Sequence, residues 1–461
     1  MPSEAPKGPV ELPEELLQHI FSFLHETSDL RNLDEDRDAR LGLSTLANVA
    51  LANRAYSRIV RPELYHTLFV EDDPGAIRPT LFLKTLLEQP DIGELVREIY
   101  SGLWSVDPSH REQRKLASDA DDISQVLQIA AGRAGVPALS WPNVRLNLWP
   151  SPAHVGLAMI LPFAPYLRFL AFSLTDYVSD SLIMTALRDV SLPQLSEIQV
   201  SCGPSMPLDD FIELLQRPAL STFRAHGIEC GDESTSALAK SSLSPKLQRV
   251  FFEESSTDAI GLARLLISAP GVTTLSGHWG SARTRKSKNG FGAIGQTLRD
   301  HGMKLESLHL DSEDAAELDS SLNTNSSLGD LKGLVSLRHL ALPHHALCGQ
   351  EDDGKMAERS PDYLMRILPR SLRSIEIRLA KDIEMFGFFE NVLEEEAQAQ
   401  LNMEYRVLDL QLLELVRSEG HPELCRLIVH RYDEFTCLED AQALGWSMSR
   451  NDDTFTLHRR E

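Results

Sequence analysis

The stretch LSEIQV, Leu195 to Val200, places apolar residues at its first, fourth and sixth positions and polar ones between them. The same L-x-x-L-x-L pattern begins at Leu167 (LRFLAF), Leu220 (LSTFRA), Leu247 (LQRVFF), Val272 (VTTLSG), Leu305 (LESLHL), Leu337 (LRHLAL) and Leu372 (LRSIEI). Successive starts lie 28, 25, 27, 25, 33, 32 and 35 residues apart, and a ninth copy, LCRLIV from Leu424, follows after 52. Chance supplies two or three such matches; eight at near-constant spacing mark a repeat array.

Alternation within each copy predicts a short strand with one face on a core. The segments between, such as LDDFIELL from Leu208 and DAIGLARLLI from Asp258, carry helical apolar spacing. A proline stands two residues before the first apolar position at Pro165, Pro193, Pro218, Pro245, Pro270 and Pro422, and three before it at Pro369. Proline ends a helix and biases its predecessor toward extended backbone, so each marks a return from helix to strand. Earlier apolar runs, Leu68 to Val70, VREIYS from Val96 and VRLNL from Val144, are expected to begin the array. The whole reads as an α/β chain whose strands stack into a parallel curved sheet with helices on the convex side.

This pattern resembles leucine-rich repeats, and the resemblance implies an irregular solenoid. The asparagine or cysteine usual after the last leucine is missing, with Thr175, Gly203, Ile228, Ser255 and Gly280 in its place. Uneven turns and curvature are therefore expected.

Composition limits the chemistry. The 461 residues carry 45 Lys and Arg against 68 Asp and Glu, a net charge of −23, which opposes nucleic-acid or anionic-membrane binding. Five cysteines without CxxC spacing, Cys202, Cys230, Cys348, Cys425 and Cys437, point to reduced thiols and a cytoplasmic or nuclear setting. The acidic N-terminus reads as no signal peptide. Val155 to Leu174 reaches the length of a membrane span, but Pro162 and Pro165 interrupt it; a short buried helix, a proline turn and a buried strand are expected there instead.

At the N-terminus, LPEELLQHIFSFL spans residues 12 to 24 with apolar side chains on one helical stripe. Pro13 suits the first helical position, and Glu14 and Glu15 the positive end of the helix dipole. A polar, acidic stretch follows, then a second helical run around Leu46, Val49 and Ala50, a third around Tyr56 and Ile59, and a strand ending at Val70. Leu-Pro-x-Glu-Leu-Leu-x-x-Ile-Phe-x-Phe-Leu, with the tail NRAYSRIVRPELYHTL, resembles an F-box of the fungal kind. The insertion between Thr27 and Arg40 is longer than that family's usual turn.

The resemblance implies a small helical module that docks on a Skp-family adaptor and so joins a cullin–RING ubiquitin ligase. It assigns Leu12, Pro13, Leu16, Leu17, Ile20, Phe21, Leu24, Leu46 and Val49 to forming or supporting the adaptor surface. The domain boundaries expected are a flexible tail at 1–8, the F-box at 9–66, the repeat array at 67–380 and an acidic segment or cap at 381–461.

The motifs for catalysis are weak. GFGAIG, Gly290 to Gly295, matches the dinucleotide G-x-G-x-x-G, but the polar, basic SARTRKSKN precedes it where a hydrophobic strand is required. That basic loop, with Arg283, Arg285, Lys286 and Lys288, reads as a solvated turn or a grip on an acidic or phosphorylated target. His344 and His345 with Cys348, or His421 with Cys425, lack a second pair to complete a metal site. No catalytic residue, metal or cofactor is assigned.

The repeat register aims the third, fifth and seventh strand positions at the concave face. Glu197, Gln199, His339 and Glu376 fall on that face, and with them Arg224, His226, Arg249, Phe251, Glu253, His278, His309, Asp311 and Arg378, the candidate contacts for a protein target. The expected function is a non-catalytic substrate receptor of a Skp–cullin–F-box ligase, with no nucleic-acid, membrane or small-molecule partner. A repeat scaffold outside ubiquitination, and a nucleotide-dependent enzyme at Gly290 to Gly295, are the alternatives.

Overall fold

The computed structural model describes residues 12–25, 36–70, 77–101, 129, 132, 152–174, 177–278, 290–311, 327–349, 359–379, 406–430, 437–451 and 454–459. The tail at 1–8, most of the acidic insertion, the strand expected from Val144, the basic loop at 281–289 and the acidic run at 393–401 lie outside these residues. The chain groups into two compact units, Met1–Phe172 with Tyr177–Leu195, and Ser173–Asp176 with Ser196–Glu461.

The first unit opens with three helices, α1 (Glu14–His25), α2 (Asp36–Ala52) and α3 (Arg54–Leu64). A strand β1 (Thr67–Val70), a helix α4 (Ile77–Glu88) and a strand β2 (Glu98–Ser101) follow. The stretch of membrane-span length forms helix α5 (Pro152–Ile160), a 3-10 turn (Leu161–Phe163) and strand β3 (Phe169–Leu174). Its prolines divide it as the sequence predicts, since a proline ring removes a helical donor and clashes with the preceding turn. Among the described residues no helix is long and apolar enough to cross a membrane. Strands β1, β2 and β3 pair in parallel, Thr67 opposite Glu98 and Glu98 opposite Phe169.

The second unit holds β4 (Glu197–Pro207), β5 (Thr222–Cys230), β6 (Arg249–Glu253), the two-residue β7 (Ser256–Thr257), β8 (Thr274–His278), β9 (Ser307–Asp311), β10 (His339–Pro343), β11 (Ser374–Arg378) and β12 (Arg426–His430). All except β7, which pairs beside β5, form one parallel series in chain order. Every repeat strand begins at the third position of its L-x-x-L-x-L copy. The first and fourth positions are buried throughout, from Leu220 and Phe223 to Leu424 and Leu427. The ninth copy continues the parallel order. The series then closes with a hairpin, β13 (Trp446–Asn451) and β14 (Thr454–Arg459), in which β14 pairs antiparallel with β12.

The prolines have a structural role finer than helix termination. In each copy the amide of the first apolar residue donates to the carbonyl three residues earlier: Leu195 to Leu192, Leu220 to Arg217, Leu247 to Ser244, Val272 to Ala269 and Leu424 to His421. These are β-turns, and Pro193, Pro218, Pro245, Pro270 and Pro422 occupy the second position, where the fixed proline φ is wanted. The next two amides both reach the preceding copy, as Gln248 and Arg249 do to the Ser221 carbonyl and Arg373 and Ser374 to that of Arg338. Turn and ladder together set the register of each new strand.

Candidate functional site

The three N-terminal helices enclose a small core of Phe21, Leu46, Ile59 and Val60, flanked by Leu17, Leu24, Leu43, Val49 and Leu64. Leu46 is fully buried and Phe21 is 7% exposed. The carbonyl of Pro13, one residue ahead of α1, accepts from the Leu16 and Leu17 amides and starts the helix. Asn53 caps α3 by accepting from the Tyr56 amide at 2.8 Å. A side chain on Gly42 would stand 2.1 Å from the Leu24 carbonyl oxygen, so only glycine lets α2 cross the end of α1 this closely. Arg58 of α3 reaches Glu14 of α1 at 2.6 Å.

The stripe read from the sequence divides into two rows. Leu17, Phe21 and Leu24 turn inward to this core, and Leu46 and Val49 meet them from α2. Leu12, Leu16 and Ile20 are 47%, 49% and 46% exposed, and Phe23 lies exposed beside them. An offset of four along α1 keeps Leu16 and Ile20 on one face, and Leu12 lies two residues ahead of the helix. Pro13 is exposed too. The outer row thus presents large apolar side chains to solvent although the three helices already have a filled interior.

A family model described as F-box-like matches residues 10–71. The chain carries an F-box-like domain. Its matched span covers α1 to α3 and runs to the end of β1. No curated protein matches the chain.

Beyond the F-box-like domain, the residues expected to contact a target lie on the sheet face opposite the buried leucines of the second unit. Arg249 and Glu253 are exposed, Arg224, His226, Phe251, His278, His309 and Arg378 are half-buried, and Asp311 is 5% exposed. They fall into two groups. On β4 to β6 the Arg224 guanidinium stacks over the Phe251 ring, 3.7 Å from its centroid, and reaches Glu197 at 3.5 Å. His226 sits opposite Glu253 in the strand register, and Arg249 Nε donates to the Thr222 hydroxyl at 2.9 Å.

On β8 to β12 the face is an ionic network. Arg378 donates to Asp311 and, at 2.9 Å, to Glu376; His430 reaches the same Glu376 oxygen at 3.0 Å. Glu376 is drawn down to about 2 by the hydrogen bond from His430 and by Arg378, against a burial that pushes it up. Burial pushes His309 below the ordinary histidine value, with Arg378 adding to the effect. His278 pairs with Glu254 at 3.5 Å.

Sequence reasoning left His430 and Glu254 out of this face. His430 was within reach, because the ninth copy obeys the same register and puts residue 430 at its seventh position. Glu254 falls beyond the strand, with a positive φ of 46° that no pattern announces.

The glycine motif serves packing. Gly290 caps the helix Phe291–His301, so Gly292 and Gly295 lie inside it, and β8 has already ended at His278. A side chain on Gly295 would come within 1.9 Å of the Leu328 carbonyl oxygen, which accounts for its absence.

Of the histidine–cysteine combinations, His344 and His345 are buried, and burial takes each to about 4. His344 lies 3.4 Å from the Cys348 sulfur. His421 is buried and its Nε2 bonds the Leu368 carbonyl, while Cys425 is exposed. Among the described residues no group of three or more His, Cys, Asp or Glu is placed to hold a metal ion.

Proposed function

We propose that the chain is the substrate-recognition subunit of a Skp–cullin–F-box ubiquitin ligase. The outer row of α1 binds the adaptor, and the polar sheet face of a leucine-rich-repeat-like array binds the target. The observation that carries this reading is the exposed line Leu12, Leu16 and Ile20 on a domain whose interior is already filled. Large apolar anchors on one helix face are the means by which a helix engages a partner groove. Leu17, Phe21, Leu24, Leu46 and Val49 act from behind, holding α1 at the angle that presents the outer row.

In this reading the chain breaks no bond. It contributes proximity, holding a target near the ubiquitin-transfer machinery, and works in the cytoplasm or nucleus. The test is co-purification with a Skp-family adaptor. Leu16→Asp with Ile20→Asp abolishes it while the circular-dichroism spectrum is unchanged; adaptor retained by that variant refutes the assignment. Target capture with the outer row disabled then reads the sheet face, and Arg224→Glu with Arg249→Glu reduces what is captured.

A further inference from the structure

A surface pocket of about 380 Å³ opens in the second unit, lined by Arg359, Ser360, Tyr363, Arg366 and Ile367. Two guanidinium groups and an exposed hydroxyl meet there. Arg359 is anchored, its Nε donating to the Cys348 carbonyl at 2.9 Å and its guanidinium standing 5.0 Å from the Tyr363 ring centroid. Arg366 donates to the Ser360 hydroxyl and also reaches Asp362 at 3.1 Å. The Ser360 hydroxyl in turn donates to Asp362 at 2.6 Å. Ser360 is exposed and precedes Pro361, which disfavours helical backbone at the serine. Another such dipeptide, Ser244–Pro245, is no equivalent: Ser244 is buried and its hydroxyl donates to the Leu220 carbonyl at 2.9 Å.

We propose that Ser360 is a phosphorylation site for a proline-directed kinase, and that the pocket between Arg359 and Arg366 receives its phosphate. The serine oxygen attacks the γ-phosphorus of ATP, the bond to ADP breaks, and the hydroxyl proton passes to the kinase base. The product adds a charge of about −1.5 to −2 at neutral pH. It takes over Arg366, which already touches the serine oxygen, and loosens the Arg366–Asp362 pair by like-charge repulsion with Asp362. Charge-assisted bonds from guanidinium to phosphate are short and strong, so the segment around residue 360 becomes tied to the helix Tyr363–Ile367.

The experiment uses the full chain. Incubation with ATP and a panel of proline-directed kinases, followed by peptide mass spectrometry, places phosphate on Ser360 and leaves Ser244 unmodified. Pro361→Ala abolishes labelling. If no kinase of the panel modifies Ser360 in the folded protein, the site is refuted. The pocket is tested separately, with phosphoserine installed at position 360 by codon suppression and titrated by ³¹P NMR. Its second ionisation lies below the ordinary value of about 6 and rises by roughly 0.3 unit or more in Arg366→Ala, because removing a cation disfavours the dianion. Equal midpoints in the two proteins overturn the role given to the arginines.

Discussion

Asp311 at the end of β9 and Arg378 at the end of β11 are 67 residues apart in the chain and form a direct ion pair across the intervening strand β10. The parallel register makes this possible, setting His339 of β10 opposite both Ser307 of β9 and Ser374 of β11, so that the strand ends align. Asp311 is almost wholly buried, a setting in which a nearby opposite charge is stabilising.

Removing that partner is therefore costly. Arg378→Ala takes one cation away from both Asp311 and Glu376, with an expected loss of about 1–3 kcal/mol in urea unfolding. Arg378→Ala combined with Asp311→Asn recovers part of the loss. Additive losses in the double variant would show that the two residues are not coupled.

Glu376 makes the same network pH-dependent. Its carboxyl, ordinarily at 4.5, is held at about 2 in the fold. A depressed carboxyl adds stability that is present above 4.5 and is lost as pH falls toward 2. The stability gap between the wild type and Glu376→Gln is thus widest near neutrality, where it amounts to about 2–3 kcal/mol once solvent screening of this partly exposed group reduces the full shift, and narrows as the solution is acidified. Chemical denaturation at several pH values between 6 and 3 reads the trend; a gap independent of pH would contradict it.

The two rows of α1 separate folding from binding. Leu46→Ala opens a cavity in the three-helix core and is expected to lower the stability of the F-box-like domain by about 2–5 kcal/mol, whereas Leu16→Ala, at an exposed position, changes it by less than about 0.5 kcal/mol. Limited proteolysis within residues 12–70 distinguishes them. Equal sensitivity of the two variants would remove the division into rows.

Gly295 tests the packing account of the glycine motif. Gly295→Ala drives a methyl group into the Leu328 carbonyl and forces the helix Phe291–His301 outward, a strain of about 1–3 kcal/mol. Thermal unfolding shows the loss. Added nucleotide does not raise the midpoint of the wild-type protein; a nucleotide-dependent rise that Gly295→Ala removes would return the motif to ligand binding.

Much of this was legible in the residues. The L-x-x-L-x-L copies mark every strand from β3 through β12 except the two-residue β7, because a strand with one buried face must alternate and alternation survives in a single sequence. The prolines locate the turns, since their fixed φ suits one turn position. The helical stripe of residues 12 to 24 was visible, but its division was not. Periodicity defines a face about a hundred degrees wide, and Leu16 and Leu17 both fall on it; which one turns inward depends on where α2 and α3 pack. His430 escaped for a different reason, since its copy follows a 52-residue interval that breaks the period although the strand itself keeps the register.

By itself, then, the sequence determined the local elements and their order: a helical module whose motif resembles an F-box, then strands returning at a near-constant period. Those follow from short-range rules, the alternation of strand side chains, the reach of a helix turn and the rigidity of proline. Only the tertiary structure decided which apolar residues of α1 are left to solvent, and which charges on the sheet face neutralise one another. Both depend on contacts between residues tens of positions apart. Burial and charge pairing are properties of neighbours in space, and the chain must be folded before Asp311 has Arg378 beside it.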